Sequence, residues 1–288
     1  MSNESVARVQ KVRWFYPTTW PFWGVHLAAL LVFFVPFSWN LVWLCLGLYA
    51  LRMFGVTGGY HRYFSHRTFR TSRPFQFVLA LLGTLAMQKG PLWWAAHHRH
   101  HHRYSDIHGD VHSPGLEGFL WSHVGWILAE DYEATEVGKV PDLVKYPELE
   151  WLNRWHLVPG IALGVVLFLV GGLPALAWGL FLSTVMTWHA TFMINSLTHM
   201  FGRRRYVTKD DSRNSLILAL ITMGEGWHNN HHYYQSSTRQ GFFWWEIDLT
   251  YYALRALALV GLVWDLREPP KHVVEGHFRE GLVSDKAA

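Results

Sequence analysis

Residues 91–102 read Pro91-Leu92-Trp93-Trp94-Ala95-Ala96-His97-His98-Arg99-His100-His101-His102, with histidine at five of the last six positions. Five imidazoles packed together repel one another when protonated, so they need a reason to stay neutral. A metal ion supplies one, because it binds the neutral ring and competes with the proton. If the stretch is helical, His98, His101 and His102 stand at i, i+3 and i+4 and share one face. His97 and His100 then point elsewhere and need not be ligands.

Around this cluster the chain is apolar. Half of its 288 residues are hydrophobic and 16% are charged, against about 25% in soluble domains. The deficit points to lipid contact, and the 17 tryptophans suit membrane interfaces. The one cysteine, Cys45, excludes a disulfide framework, a zinc–thiolate site and an iron–sulfur cluster. The net charge of +4 comes with no basic stripe or nucleic-acid-binding motif, so a nucleic-acid partner is excluded. The polar start, Met1 to Gln10, shows no cleavable signal peptide.

The apolar runs fall in pairs. Residues 20–39 and 41–60 each approach the roughly 20 residues that span a bilayer as a helix. The turn between them, Pro36-Phe37-Ser38-Trp39-Asn40, carries no charge. Residues 157–173 and 174–194 form a second pair, joined through Gly171-Gly172-Leu173-Pro174. Lys and Arg lie at the N-terminus, in the middle insert and after the fourth run. The positive-inside rule then places both termini and every histidine cluster in the cytoplasm. The apolar segment 74–94 lies between two histidine clusters, so its ends return to one side and it reads as an interfacial or re-entrant helix. Arg52, inside the second run, reads as a side chain snorkelling to the interface. The expected fold is all-α and integral to the membrane, one domain over 1–288. Four transmembrane helices lie under a cytosolic helical cap (about 61–156 and 195–268) that holds a histidine-rich dimetal site. A tail, 269–288, reads as partly helical or disordered.

Two further clusters accompany the first: His61-Arg62-Tyr63-Phe64-Ser65-His66 and His228-Asn229-Asn230-His231-His232. The last repeats the His-x-x-His-His spacing of His98, His101 and His102. His61 and His66 are five apart, about 140° off a common direction on an α-helix, so the helix must end or change pitch there, or the two serve different metals. Gly58-Gly59 allows either. Asn195 and His199, at i and i+4, fall on the same membrane side and could join the cluster. The candidates are His61, His66, His98, His101, His102, His199, His228, His231 and His232. One metal takes about four to six ligands, so nine imply two metals. Imidazole suits iron, copper or zinc, redox chemistry favours iron or copper, and O2 activation by paired iron is the simplest use. No His-Glu-x-x-His and no Gly-x-Gly-x-x-Gly occurs, so electrons for an oxygenase come from another protein. His26, His156 and His189 stand alone and read as core or interface histidines. His97, His100, His108, His112 and His123 read as polar or hydrogen-bonding partners, and Asp106 and Glu225 as carboxylates that orient imidazoles. His272 and His277 read as surface histidines. Trp93-Trp94 and Trp244-Trp245 read as interface anchors.

Taken together, these clusters resemble the three histidine boxes of the membrane fatty acid desaturase family, in its stearoyl-CoA (Δ9) branch. The likeness runs from about Thr57 to His232 and includes Gly58-Gly59-Tyr60-His61, Ser122-His123-Val124-Gly125-Trp126, Asn195-Ser196-Leu197-Thr198-His199 and Gly224-Glu225-Gly226-Trp227-His228. The resemblance implies a mushroom-like fold, two non-haem iron ions on the nine histidines, and Asn195 reaching one iron through water. It implies a cis double bond, at Δ9, placed in a saturated C16–C18 acyl chain with O2 and two electrons. The chain would thread a dry tunnel past the metals, for which Tyr49 and Trp94 are candidate wall residues. Electrons would come from ferredoxin, rubredoxin, or cytochrome b5 with its reductase. Where animal acyl-CoA members carry head-group residues, this chain has Ala96-His97 and Ala129-Glu130-Asp131. That departure favours an acyl-lipid or acyl-carrier-protein substrate over acyl-CoA. Same-scaffold alternatives are a hydroxylase, an acetylenase or an alkene-forming decarboxylase. A membrane metal or haem electron-transfer protein is the non-enzyme alternative.

Overall fold

In a computed structural model the chain is described over residues 14–276. His277 lies outside them. The first apolar run is helical from Pro17 to Phe33: a 3-10 turn, helix α1 (Trp20–Ala29) and a second 3-10 turn. It stops short of residue 39, in keeping with Pro36, which lacks an N–H and disfavours helical geometry before it. Ser38 accepts from the Asn40 amide and caps α2 (Trp39–Phe54).

Helix α2 does not end at residue 60. It runs on as a π-helical segment, Gly55–Ser65. A π-turn bonds residue i to i+5, and the His66 amide donates to the His61 carbonyl at 3.2 Å. The five-residue spacing is thereby brought into line, which is the change of pitch the sequence requires. Helix α3 (Arg73–Thr84) packs on this segment almost backbone to backbone. A Cβ on Gly55 would sit 2.3 Å from the Leu82 carbonyl carbon, and one on Gly59 would sit 2.8 Å from the Leu79 carbonyl oxygen.

Helix α4 (Pro91–Tyr104) opens on Pro91, and the short helices α5 (Pro114–Glu117), α6 (Phe119–His123), α7 (Pro141–Val144) and α8 (Pro147–Arg154) fill the insert. Helix α9 (Val158–Ala175) is broken at Gly172, whose φ of 62° and ψ of −157° no helix contains. Beyond the break a π-helical stretch, Leu176–Leu182, leads into α10 (Ser183–Ser196). The two arms pack through small residues: a Cβ on Gly164 would lie 2.9 Å from Leu180, and one on Gly179 would lie 3.1 Å from Leu167. Among the described residues two stretches are long and apolar enough to cross a membrane, Trp39–Ser65 and Val158–His199, and the second is this folded hairpin.

The remaining elements are α11 (Leu216–Ile221), α12 (His228–Tyr233), α13 (Leu249–Leu259) and α14 (Lys271–Val274). One departure from an all-α chain is a two-residue antiparallel ladder, β1 (Arg70–Thr71) with β2 (Val263–Trp264). The main cap core joins Tyr60, Phe64, Leu79, Leu92, Leu152 and Leu254, so the π-helix, α3, α4, α8 and α13 fold around one centre. The start of the tail belongs to the cap, because Val273 is buried with Tyr206 and Phe242.

Arg52 does not snorkel. It is fully buried. Its Nη2 donates to the Gly179 carbonyl at 3.0 Å and to Ser183 Oγ, its Nη1 donates to Thr184 Oγ1, and its Nε donates to the Leu48 carbonyl at 3.2 Å. Gly179 lies in the middle of the Leu176–Leu182 π-helical stretch and Ser183 opens α10 just after it, which gives the guanidinium polar partners inside the helix pair.

Candidate metal centre

The nine histidines converge as two groups. His61, His66, His98, His102 and His231 form one, and His101, His199, His228 and His232 the other; within each, the ligand atoms lie within 4.8 Å of one another. Helix α4 serves both groups, since His98 and His102 face one and His101 the other. Helix α12 does the same with His231 against His228 and His232. His61 and His66 come from the π-helical turn, and His199 from the 3-10 turn that ends α10.

Ring nitrogens oppose one another at short range. Nε2 of His61 lies 3.0 Å from Nε2 of His231, that of His231 3.0 Å from His102, that of His66 2.8 Å from His98, and that of His199 3.0 Å from His228. Four rings present Nδ1 to a carboxylate: His101 to Asp110 at 2.8 Å, His199 to Asp106 at 2.7 Å, His232 to Asp210 at 2.8 Å, and His61 to Glu225. A ring that donates through Nδ1 turns an Nε2 lone pair inward. His101 Nε2 and His232 Nε2 are buried with no hydrogen-bond partner among the described residues. Orphaned lone pairs of this kind fit a cation. Two donors at right angles on a metal with bonds of about 2.1 Å sit about 3.0 Å apart, the spacing found here. The residues therefore fit two bound metal ions.

Burial acts in the same direction. His66, His98, His102, His228 and His231 are held well below the usual histidine range by desolvation and by neighbouring imidazoles. They present neutral rings, the ligating form. His232 is lowered to about 4, burial outweighing Asp210. Burial would lower His101 too, but Asp110, with Asp106 and Asp210 adding to it, raises it. Burial would raise Asp106, Asp110 and Asp210, yet hydrogen bonds and charge from their histidines keep all three well below the usual carboxylate range. Glu225 is lowered in the same way by His61 and Arg62.

The carboxylates are themselves fixed. Arg62, fully buried, donates to Glu225 at 3.0 Å and to Asp248 at 3.1 Å, and Asp248 caps α13. Asp106 accepts from Ser113 Oγ at 2.7 Å and the Asp211 amide at 2.8 Å. Its φ of 58° lies in the left-handed region, an outlier of the sort found at functional sites. Asp110 and Asp210 carry no signal in isolation, since they lie in polar loops 9 and 22 residues from the rings they hold, at no helical spacing.

A cavity of about 350 Å³ runs between α1, the turn before α4, and α10, with Phe22, Trp93, Trp126, Trp188 and Phe192 in its wall. It ends at Trp94, His98, His112, Thr191 and Asn195, which also line a smaller cavity of about 30 Å³ bounded by Met53, Val56, Thr57 and Thr222. Together they trace an apolar passage whose narrow point touches the histidine groups. Trp94 lies in this wall and stacks on His98 at 4.8 Å. Asn195 lies there too, its backbone carbonyl accepting from Ser122 Oγ at 2.8 Å. Tyr49 lies one turn before Met53, and its hydroxyl donates to the Ile221 carbonyl at 2.6 Å. At the wide end stand Lys89, Glu130, Glu133 and His156, with Lys89 and Glu133 4.0 Å apart.

The other histidines divide. His97 bonds the Trp93 carbonyl at 2.9 Å and His100 the Gly109 carbonyl at 2.7 Å, while His108 and His272 are exposed. His26 and His189 are not solitary, contrary to expectation. Nε2 of His26 lies 3.0 Å from Nε2 of His189, whose Nδ1 lies 3.0 Å from Nε2 of His123. Helical segments remote in sequence bring them together, so sequence spacing could not reveal the chain.

Comparison with known proteins agrees with this geometry. A family model described as fatty acid desaturase matches residues 37–264. The chain is similar to an sn-1 stearoyl-lipid 9-desaturase of Synechocystis sp., 40% identical over 253 residues, covering 87% of this chain and 79% of that protein. It is similar to an sn-2 palmitoyl-lipid 9-desaturase of Nostoc sp., 38% identical over 263 residues, covering 88% and 92%. It is also similar to an acyl-CoA 5-desaturase of Anemone leveillei, 38% identical over 250 residues, covering 85% and 77%.

Proposed function

This chain belongs to the fatty acid desaturase family and is an oxidoreductase; on that premise we propose that it is an integral-membrane, two-iron acyl desaturase. In this reading it places a cis Δ9 double bond in a saturated C16–C18 chain. It consumes O2, two electrons and two protons and releases two waters. The observation that carries the reading is the apolar passage narrowing at His98 and Asn195, where an extended acyl chain would lie against both histidine groups.

The nine histidines would hold the two ions, with Asn195 beside them reaching one through water. When bound, the ions supply the O2 chemistry that removes hydrogen from an unactivated methylene. The protein supplies the rest. Trp94, Trp126 and Phe192 hold the acyl chain and exclude water, so that one carbon pair stays beside the centre. Asp106, Asp110, Asp210 and Glu225 fix the rings to which they bond.

Four spans are the membrane arrangement proposed. Pro17–Phe33 covers about 25 Å at 1.5 Å per residue, Trp39–Ser65 is a second crossing, and the hairpin at Gly172 provides two more. The outward faces are apolar, with Leu27, Phe33, Trp43, Phe168 and Leu169 exposed. Both termini and the centre lie in the cytoplasm in this reading, which the uncharged hairpin tips support. At the wide end of the passage two carboxylates face one ammonium. That favours an acyl chain esterified to a membrane lipid over a polyanionic CoA carrier, with acyl-carrier protein as the other acidic carrier. Electrons come from ferredoxin, rubredoxin, or cytochrome b5 with its reductase.

The test is the fatty-acid profile of a host expressing the chain beside one expressing His101→Ala, with double bonds located by mass spectrometry. A new Δ9 monounsaturated acid, absent with His101→Ala, is expected. An unchanged profile, with iron-loaded protein in the membrane and a competent donor present, overturns the reading.

A further inference from the structure

We propose that Trp126 and Tyr132 carry oxidising equivalents from the histidine centre to the protein surface when no acyl chain is present to receive them. The inference rests on the two-iron desaturase reading above. His101 is the metal-group ring from which the path starts. The ring of His112, which belongs to neither of the two all-histidine groups, lies 4.1 Å from it. The Trp126 ring lies 5.1 Å from His112, and the Tyr132 ring 6.1 Å from Trp126. Each step is within ring contact. Trp126 is buried, and Tyr132, on the 3-10 turn Glu130–Tyr132, is partly exposed. Trp93 stacks on Trp126 at 5.7 Å and Trp121 meets Tyr132 at 6.1 Å. The path is thus embedded in a cluster of the side chains that most readily give up one electron.

A second aromatic branch leaves the centre and ends inside. Trp94 stacks on His98 and its ring lies 5.8 Å from Tyr60. Tyr60 is fully buried, with its hydroxyl on Thr84 Oγ1 at 2.8 Å and the Lys89 carbonyl at 3.1 Å. A phenol there has no outlet for its proton. Of the two branches, the one through Tyr132 reaches solvent.

The electron count sets the need for such an outlet. Reducing O2 to two waters takes four electrons and four protons. In desaturation the donor protein gives two electrons, solvent gives two protons, and the acyl chain gives two of each. Without the acyl chain the last two electrons come either from further donor protein or, when the donor has not returned, from the protein's own oxidisable side chains. Trp126 gives one to the centre. Tyr132 refills Trp126 and releases its phenolic proton to solvent. A soluble thiol or ascorbate-type reductant then returns one electron and one proton to Tyr132. Two passes complete the reduction and leave every side chain as it began.

The experiment uses the iron-loaded full-length protein in membranes, with electron donor, O2 and ascorbate but no acyl substrate. Inactivation is measured per O2 consumed for wild type, Tyr132→Phe, Tyr132→Trp and Trp126→Phe. Freeze-quenched samples are examined for tyrosyl and tryptophanyl radical signals, and peptides for oxygen addition. Tyr132→Phe is expected to lose the tyrosyl signal and inactivate severalfold faster, with oxygen added at Trp126, His112 or His101. Tyr132→Trp is expected to restore protection. Turnover with substrate is unchanged in Tyr132→Phe, because Tyr132 lines neither cavity. Equal inactivation of wild type and Tyr132→Phe at equal O2 consumption overturns this inference alone, and so does a radical confined to Tyr60. An iron-loaded protein that consumes no O2 with its donor when no acyl chain is present overturns this inference, while the desaturase reading falls only with an unchanged fatty-acid profile.

Discussion

Asp106→Asn removes one charge from the outer edge of the four-histidine group with little else disturbed. Asparagine accepts the left-handed backbone of residue 106. Its amide oxygen, placed where Oδ2 is now, still accepts from His199 Nδ1 and the Asp211 amide. Its NH2 then meets Ser113 Oγ, which turns from donor to acceptor. The hydrogen bonds survive and the carboxylate charge is lost. Loss of a carboxylate behind a ligating histidine weakens metal binding about 10–100-fold, or about 1.4–2.7 kcal/mol at 1.36 kcal/mol per decade. The loss falls on one ion, because Asp106 bonds His199 and no ring of the five-histidine group. The assay is metal content after equilibration against graded chelator. The variant should release one equivalent at 10–100-fold lower chelator and the second where wild type does. Release of both equivalents at the wild-type chelator concentration, or of both together at the lower one, would refute this account of the charge.

Three further outcomes follow from the same structure. Asp110→Asn should cost more than Asp106→Asn, because Oδ1 accepts from His101 and Oδ2 from the Asp106 amide; one donor is left facing an NH2, at about 1–3 kcal/mol, read as a lower Tm of the metal-free protein. The chelated protein should be acid-labile. Five histidines hold folded pKa values well below 6.5, so the unfolded chain binds more protons as pH falls below about 6.5. The depressed aspartates add their loss below about pH 4. Metal loading should shift the transition to lower pH, and a metal-independent midpoint would contradict the assignment. Arg52→Met should fold nearly as well as wild type while Arg52→Ala loses about 2–5 kcal/mol to a cavity; Ser183 Oγ already donates to the Gly179 carbonyl. Equal loss in both, by fluorescence-detected size exclusion on heating, would show the guanidinium itself to be the main stabiliser.

The convergence of the nine histidines was legible because two of their three clusters keep one helical spacing. His98, His101 and His102 share a helical face only in one register, and α12 repeats it. The His61–His66 pair was legible as a conflict with α-helical pitch, and the π-helix resolves that conflict. Arg52 was misread because sequence shows that a charge lies in an apolar run but not whether a facing helix offers oxygens. His26, His123 and His189 were missed for the same reason: each is ordinary where it stands, and only the packing of α1, α6 and α10 makes them neighbours. Asp110 and Asp210 escaped because a carboxylate that orients a ring needs proximity in space and leaves no periodic trace.

Those carboxylates also explain how two groups of unequal size could hold like ions. The five-histidine group has one carboxylate behind its rings, Glu225, and Arg62 neutralises it at 3.0 Å. The four-histidine group has three, Asp106, Asp110 and Asp210, with no guanidinium on any of the three carboxylate groups among the described residues; Arg204 reaches only the Asp210 backbone carbonyl. A ring that donates to a carboxylate is a stronger base, and uncompensated negative charge lowers the energy of a cation nearby. The group with fewer rings therefore has more charge behind them, and the group with more rings has less. Each substitution in the carboxylate shell should then act on one ion at a time, and the ion in the four-histidine group should be the one whose affinity tracks carboxylate charge. The fifth ring of the other group does by donor number what the aspartates do by field.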